Sequence, residues 1–272
     1  MNSNSELFTV SILGCGWYGL ALAKSLIEKG YSVKGSTTSS EKLYTLKELG
    51  INSYQVNFSS KEESYNPEFF QSDVLFIAIP PKRKSGEVDL YPQKIEAICK
   101  AATNNKIKHI ILISSTGVYE NADKEVNELD SPNPQSDSGK ALFQAENIAL
   151  AQRNVSTTIM RFGGLFGPGR NPGRFFKGKK SISNGLAPVN MIHLNDCLAI
   201  SHAILEQNSF GKVYNACSPQ HPSRIDFYTH TAIIENEPTP DFIHELKEWK
   251  IINSLNLLLY LNYIFKEDLI SQ

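Results

Sequence analysis

One stretch constrains this chain more than any other: an apolar run over residues 8–13 leads directly into Gly14-Cys15-Gly16-Trp17-Tyr18-Gly19. A short apolar run that ends in glycines reads as a buried parallel strand. Beyond it Leu20, Ala23, Leu26 and Ile27 recur at helical spacing until Gly30 closes the segment, where a glycine past the last turn is expected. Three glycines between a strand and a helix have separate duties. The first permits the tight turn, the second lets a pyrophosphate approach the backbone, and the third lets helix and strand pack closely. The helix N-terminus adds N–H donors and the positive end of its dipole. With a second strand over residues 31–35, the pattern reads as a dinucleotide turn in the context that confirms it. A glycine-rich turn with no ligand is the bland alternative. The contact set read from the turn is Gly14, Cys15, Gly16, Trp17, Tyr18 and Gly19.

The rest of the chain repeats this alternation. Helical spacing covers residues 41–49, 92–102 and 139–152, and strands are expected over 52–58, 73–79, 107–113 and 155–161. Strands separated by helices of this length make βαβ units, and right-handed crossovers wind them into an α/β sandwich. The fold expected is Rossmann-like, a doubly wound and mostly parallel sheet with a small C-terminal substrate-binding lobe. Residues 1–163 form the nucleotide-binding domain. Residues 164–272 form mainly the lobe, with some segments returning to the sheet: a strand and helix over 189–205, a strand over 212–216, and a helix at Leu255–Leu261 within a mixed final stretch.

Composition excludes several classes. The 272 residues carry 27 Lys+Arg against 28 Asp+Glu, a balance that argues against nucleic acid or an anionic membrane surface as partner. No apolar run approaches the ~18 residues that a membrane span needs, and residues 1–6 lack the basic and apolar regions of a signal peptide. Cys15, Cys99, Cys197 and Cys217 form no pair or Cys/His pattern with zinc spacing, so no metal is expected and the thiols read as reduced, in a cytoplasmic protein. A small-molecule substrate is the expected partner, with a homodimer as the candidate assembly.

The end of the second strand bears on which dinucleotide is bound. NAD sites usually place an acid there for the ribose hydroxyls. This chain has Ser36-Thr37-Thr38-Ser39-Ser40, flanked by Lys34 and Lys42. Hydroxyls and an ammonium can bond a 2′-phosphate that a carboxylate would repel. NADP is therefore the first choice and NAD the second.

Further motifs carry a resemblance. Ser114-Ser115-Thr116-Gly117-Val118-Tyr119 follows a strand, Ser138-Gly139-Lys140 opens a helix, and Leu165-Phe166-Gly167-Pro168-Gly169-Arg170 precedes Met191-Ile192-His193-Leu194-Asn195-Asp196. In this order they resemble the extended short-chain dehydrogenase/reductase superfamily, the NAD(P)-dependent epimerases and dehydratases. More narrowly, the chain resembles its atypical branch of bacterial YeeZ-type proteins. The resemblance implies an oxidoreductase or epimerase-like enzyme for a small substrate, phosphorylated or nucleotide-linked. It implies that Ser115 polarises a carbonyl and that Lys140 holds the nicotinamide ribose. The family's catalytic Tyr, four residues before the Lys, falls on Ser136. An aliphatic hydroxyl titrates far above a phenol's ~10, so Ser136 is a poor replacement. The alternative reading is therefore a cofactor-binding sensor or partner-binding protein without turnover.

Other positions complete the expected site. Ile79, Pro80 and Pro81, at the end of the fourth strand, and Phe162, at the end of the sixth, border the crevice where such folds bind cofactor; Ser114 is expected beside them. Arg170 and Arg174, in a basic stretch with Lys177, Lys179 and Lys180, are candidates for an anionic substrate group. Tyr119 and His193 join the substrate set, each with packing as the commoner role for such a residue.

Overall fold

Continuous apolar strands make the middle of a sheet, because a strand covered on both faces has no solvent side to keep polar. The computed structural model describes residues 7–59, 63–81 and 88–270. In chain order it runs β1 (Thr9–Leu13), α1 (Trp17–Glu28), β2 (Ser32–Thr37), α2 (Glu41–Glu48), β3 (Asn52–Gln55), β4 (Asn57–Phe58), β5 (Glu63–Ser64), β6 (Val74–Ile77), α3 (Tyr91–Asn104), β7 (His109–Ser115) and β8 (Lys124–Val126). It continues through α4 (Asp137–Leu150), β9 (Ser156–Phe162), β10 (Gly164–Phe166), β11 (Met191–His193), α5 (Leu194–Glu206), β12 (Val213–Ala216), α6 (Arg224–Ile234), β13 (Lys250–Ile252) and α7 (Leu255–Leu261).

The main sheet has seven strands in the order β12-β9-β7-β6-β1-β2-β3. From β3 through to β7 every pair is parallel. The order reverses between β1 and β6, the switch point at which open α/β sheets bind ligands. Val74, Leu75, Phe76 and Ile77 are wholly buried, as are Ile110, Ile111 and Leu112. Among the described residues no helix is long and apolar enough to cross a membrane, and no cluster of metal-ligating side chains occurs.

Two compact units divide the described residues. Within the described residues, one takes those up to Ser114 with Ser136–Met160 and Ile204–Val213; the other takes Ser115–Gln135, Arg161–Ala203 and those from Tyr214 on. In the first unit, α1 turns Tyr18, Leu22, Ala23 and Leu26 into the core, and α3 packs on α4. Sequence spacing expects one strand over 52–58, but the structure breaks it after Gln55. Val56 still donates to the Thr37 carbonyl, whereas β4 pairs antiparallel with β5. An aromatic cluster accounts for the break: Phe58 stacks on Tyr65, and both meet Phe70 edge-on.

The second unit is built from short pieces. β10 pairs with β11 and β13 with β8, both parallel. Phe166, Val189, Met191, Phe227 and Leu269 form its apolar centre. Helix α6 begins at Ser223, whose hydroxyl accepts from the Asp226 amide, a capping arrangement that the reading of the final stretch as short mixed elements passed over. The α7 helix occupies the range expected of it.

Candidate functional site

Each glycine of the turn meets a different constraint. Gly14 has φ +102°, and a Cβ there would stand 2.7 Å from the Ile79 Cγ2. A Cβ on Gly19 would stand 2.2 Å from the Gly14 carbonyl oxygen, so only glycine lets α1 pass so close. A Cβ on Gly16 would meet nothing within 4 Å. The second glycine therefore keeps open a space that no protein atom fills. Gly16 is also the N-cap of α1, with no side-chain cap bond and no acid in the first turn, an end of the kind that accepts anions.

Ser36 braces the turn from β2. Its hydroxyl oxygen accepts from the Gly14 amide at 2.9 Å, and its carbonyl accepts from the Cys15 amide at 2.9 Å. The side chain expected to reach the adenosine ribose is buried and engaged with the turn. Thr37 and Thr38 stand at the strand end beyond it. Burial pushes the Cys15 thiol up to about 11, so it stays protonated at neutral pH; Gly35 leaves room for its sulfur, 2.7 Å from where a Cβ would be.

A cleft of about 500 Å³ opens at the carboxyl ends of β1, β2 and β6. Leu13, Gly14, Cys15, Gly16, Ser36, Thr37, Thr38, Ile79 and Pro80 line it, a large part of the expected cofactor set. Val56, Phe58 and Ala97 supply apolar wall. Among the described residues, the charged side chains along it are Lys42, Lys94 and Glu63. No carboxylate stands at the end of β2. Lys34, expected to flank the site, donates to the Glu68 and Gln71 carbonyls at 2.6 Å each, so of the two flanking lysines it is Lys42 that borders the cleft.

Other expected residues have distinct settings. Trp17, Tyr18 and Gly19 form the first turn of α1, and Pro81 is buried beside Pro80. Ser114 donates to the wholly buried Glu146 at 2.5 Å, so its hydroxyl faces the interior. Ser115 accepts from the Gly117 amide at 3.1 Å. Ser136 is the N-cap of α4, its hydroxyl accepting from the Gly139 amide at 3.1 Å, while Lys140 lies exposed in the same helix.

In the second unit, Phe162 is buried at the end of β9. Tyr119 is also buried, its phenol oxygen within 3.1 Å of the Asn127 carbonyl and the Asn215 side chain and accepting from Arg161 at 2.6 Å. Burial raises its pKa, the setting of a packed residue. His193 accepts from the Asn195 amide through Nδ1 and meets Phe166 edge-on. Arg170 is exposed and pairs through its backbone with Gly167. Arg174 and Lys177 both hold Glu237, at 2.9 and 2.8 Å, and keep its carboxyl below the usual range.

Sequence reasoning missed Lys94, Tyr91, Gln93, Asn57 and Glu63 as cleft residues. Tyr91 donates to the Ile79 carbonyl at 3.0 Å, tying the start of α3 to the end of β6. The signal that could have found them is that, in open α/β sheets, ligands bind outside the carboxyl ends of the strands, which is where the start of α3 follows β6.

Known proteins share this architecture. A family model described as NAD(P)H-binding matches residues 14–188. Protein YeeZ of Escherichia coli (strain K12) is 34% identical over 244 residues, covering 89% of each chain. Among solved structures, MoeE5 in complex with UDP-glucose and NAD aligns with TM-score 0.79 at 18% identity, over 97% of this chain and 95% of that one. UDP-glucuronic acid 4-epimerase from Bacillus cereus in complex with NAD gives 0.79, 18%, 97% and 95%.

Proposed function

Because the chain belongs to the NAD(P)H-binding family, as a YeeZ relative within the extended short-chain dehydrogenases/reductases, we propose that it is an NADP(H)-dependent oxidoreductase or epimerase-like enzyme acting on a small, anionic or sugar-derived substrate. The observation that carries this reading is the cleft: an uncapped α1 end with open space at Gly16, no acid at the end of β2, and Lys42 and Lys94 along a lining whose one described carboxylate is Glu63. The donor set suits the adenosine half of a phosphorylated dinucleotide. Backbone amides of the first turn of α1 meet the pyrophosphate beside Gly16, whose own amide donates to the Gly14 carbonyl, and Val56, Phe58 and Ala97 offer an apolar wall to the base. Thr37, Thr38 and the Lys42 ammonium receive the 2′-phosphate through charge-assisted hydrogen bonds.

A bound nicotinamide supplies a hydride acceptor or donor. In this reading Lys140 holds a ribose hydroxyl, and Ser115 donates a hydrogen bond to a substrate carbonyl as negative charge develops there. The region from residue 164 supplies the substrate lobe, and the protein works in the cytoplasm. Ser136 makes a poor proton donor, because no ordinary shift brings an aliphatic hydroxyl near neutral pH; its oxygen also serves α4 by accepting from the Gly139 amide.

That same cap favours a second reading, an NADP(H)-binding protein without turnover. Titration by tryptophan quenching with NADPH and with NADH tests the cofactor; NADPH tighter by tenfold or more is expected, and equal affinities overturn the 2′-phosphate assignment. NADPH oxidation across aldehydes, ketones and nucleotide sugars separates the readings. Turnover abolished by Ser115→Ala supports the enzyme; silence with tight binding supports the sensor.

A further inference from the structure

β7 is apolar until it nears its end. Ile110, Ile111 and Leu112 are wholly buried, and the strand then closes on Ser114 and Ser115. The Ser114 hydroxyl reaches α4, whose buried residues are Gly139, Ala141, Leu142, Ala145, Ala149 and Glu146. Small and apolar side chains suffice to pack a helix against a sheet. A carboxylate among them, wholly withdrawn from water, is costly unless it is hydrogen-bonded. Glu146 accepts from Ser114 Oγ at 2.5 Å. Apolar residues of similar volume often replace buried charged groups without loss of stability, so packing alone does not account for this pair.

Its place in the sheet does. Ligands of open α/β sheets bind outside the carboxyl ends of the strands, and the pair stands at the carboxyl end of β7. The cleft opens at β1, β2 and β6, and β7 is the strand next to β6. Tyr91 and Lys94 of α3 line that cleft, and α3 packs on α4. A dinucleotide that leaves its adenosine half at Thr37, Thr38 and Lys42 and crosses the α1 end carries its other half toward β6 and β7. We infer that Glu146 is a positioning residue for the nicotinamide half of the cofactor. Its bond to Ser114 pins the end of β7 to α4 and so fixes the backbone that leads into Ser115. The inference rests on the dinucleotide reading of the cleft, and is independent of the choice between NADP and NAD.

Calorimetric titration of the full chain with NADPH and with 2′,5′-ADP, the adenosine half alone, tests the inference; NADH and ADP take their places if NADH binds the tighter. Glu146→Leu fills the site with an apolar side chain and removes the acceptor. NADPH affinity should fall roughly tenfold or more while 2′,5′-ADP affinity stays within about twofold, a split that a general loss of packing would not produce. Glu146→Gln keeps an acceptor oxygen for Ser114 and should restore most of the NADPH affinity. Should Glu146→Leu fail to fold, Ser114→Ala removes the same bond from the strand side and should give the same split. Equal losses for both ligands, no loss for either, or Glu146→Gln as damaging as Glu146→Leu overturns the inference and leaves the cofactor reading in place. A folded wild type that binds neither NADPH nor NADH overturns that reading and the inference with it.

Discussion

Two helix N-termini in the first unit were built in opposite ways. Helix α1 starts at Gly16, with no side-chain cap and open space where a side chain would be. Helix α4 starts at Ser136, whose hydroxyl covers the Gly139 amide. The first end is arranged to receive something that is not protein; the second is closed by its own chain. The difference also gives the missing family tyrosine a physical meaning, because the residue in its place acts as a helix cap.

The largest effect should come from an added methyl group within α1. Gly19→Ala places a Cβ 2.2 Å from a backbone oxygen, so the turn must move; overpacking of this kind costs about 1–3 kcal/mol, and NADPH affinity should fall more than 100-fold. Gly16→Ala is the counterpart. The same methyl group there meets no protein atom and the residue has φ −85°, so thermal melting should stay near wild type while affinity drops at least tenfold. Equal losses of stability in the two variants would erase the distinction between a structural and a ligand-facing glycine.

Ser36→Ala tests the brace between them. It leaves the Gly14 amide without its partner, which should cost about 1–3 kcal/mol in denaturant titration and weaken both NADPH and NADH. Lys42→Ala should weaken NADPH about tenfold, by roughly one charge-assisted hydrogen bond, and leave NADH unchanged. At the capped end, Ser136→Ala should lower stability by about 1 kcal/mol, with NADPH affinity unchanged, whereas Ser136→Asn should restore it. If Asn restores the melt but NADPH turnover is lost, the hydroxyl does chemistry beyond its cap; if Asn fails to restore the melt, the cap interpretation fails.

The smallest effect lies away from both ends. His109 stacks on Phe210 at 3.8 Å, and burial lowers its pKa below the ordinary 6.5. The unfolded chain therefore takes up the proton first as pH falls. Stability is complete above about 6.5 and declines below it until the folded-state value is passed. Melts from pH 7.5 to 5 should show this decline, and His109→Phe should reduce it, leaving the part due to His221, whose pKa burial also lowers.

Much of the framework was legible because its signals are local. Val74–Ile77 reads as a covered strand from its unbroken apolar run, and Gly14, Gly16 and Gly19 read as a tight strand-to-helix turn, with the close approach at Gly14 and Gly19. Less legible were choices that depend on distant partners. Residues 52–58 look like one strand until Tyr65 and Phe70 draw Phe58 away from the sheet. Lys34 and Lys42 look alike in sequence, yet the Glu68 and Gln71 carbonyls hold the first, while the second stands beside the cleft. Arg174 looks available to a substrate until Glu237, 63 residues on, is found against it.

By itself, then, the sequence determined the alternation of strands and helices, the glycine turn, and the absence of an acid at the end of β2. These are properties of backbone sterics and near-neighbour spacing, which a linear chain carries openly. Only the tertiary structure decided which side chains remained to face the cleft. A hydroxyl or ammonium is spent on whichever partner the fold brings within 3 Å, as Ser36 is on Gly14, Ser114 on Glu146 and Tyr119 on Arg161.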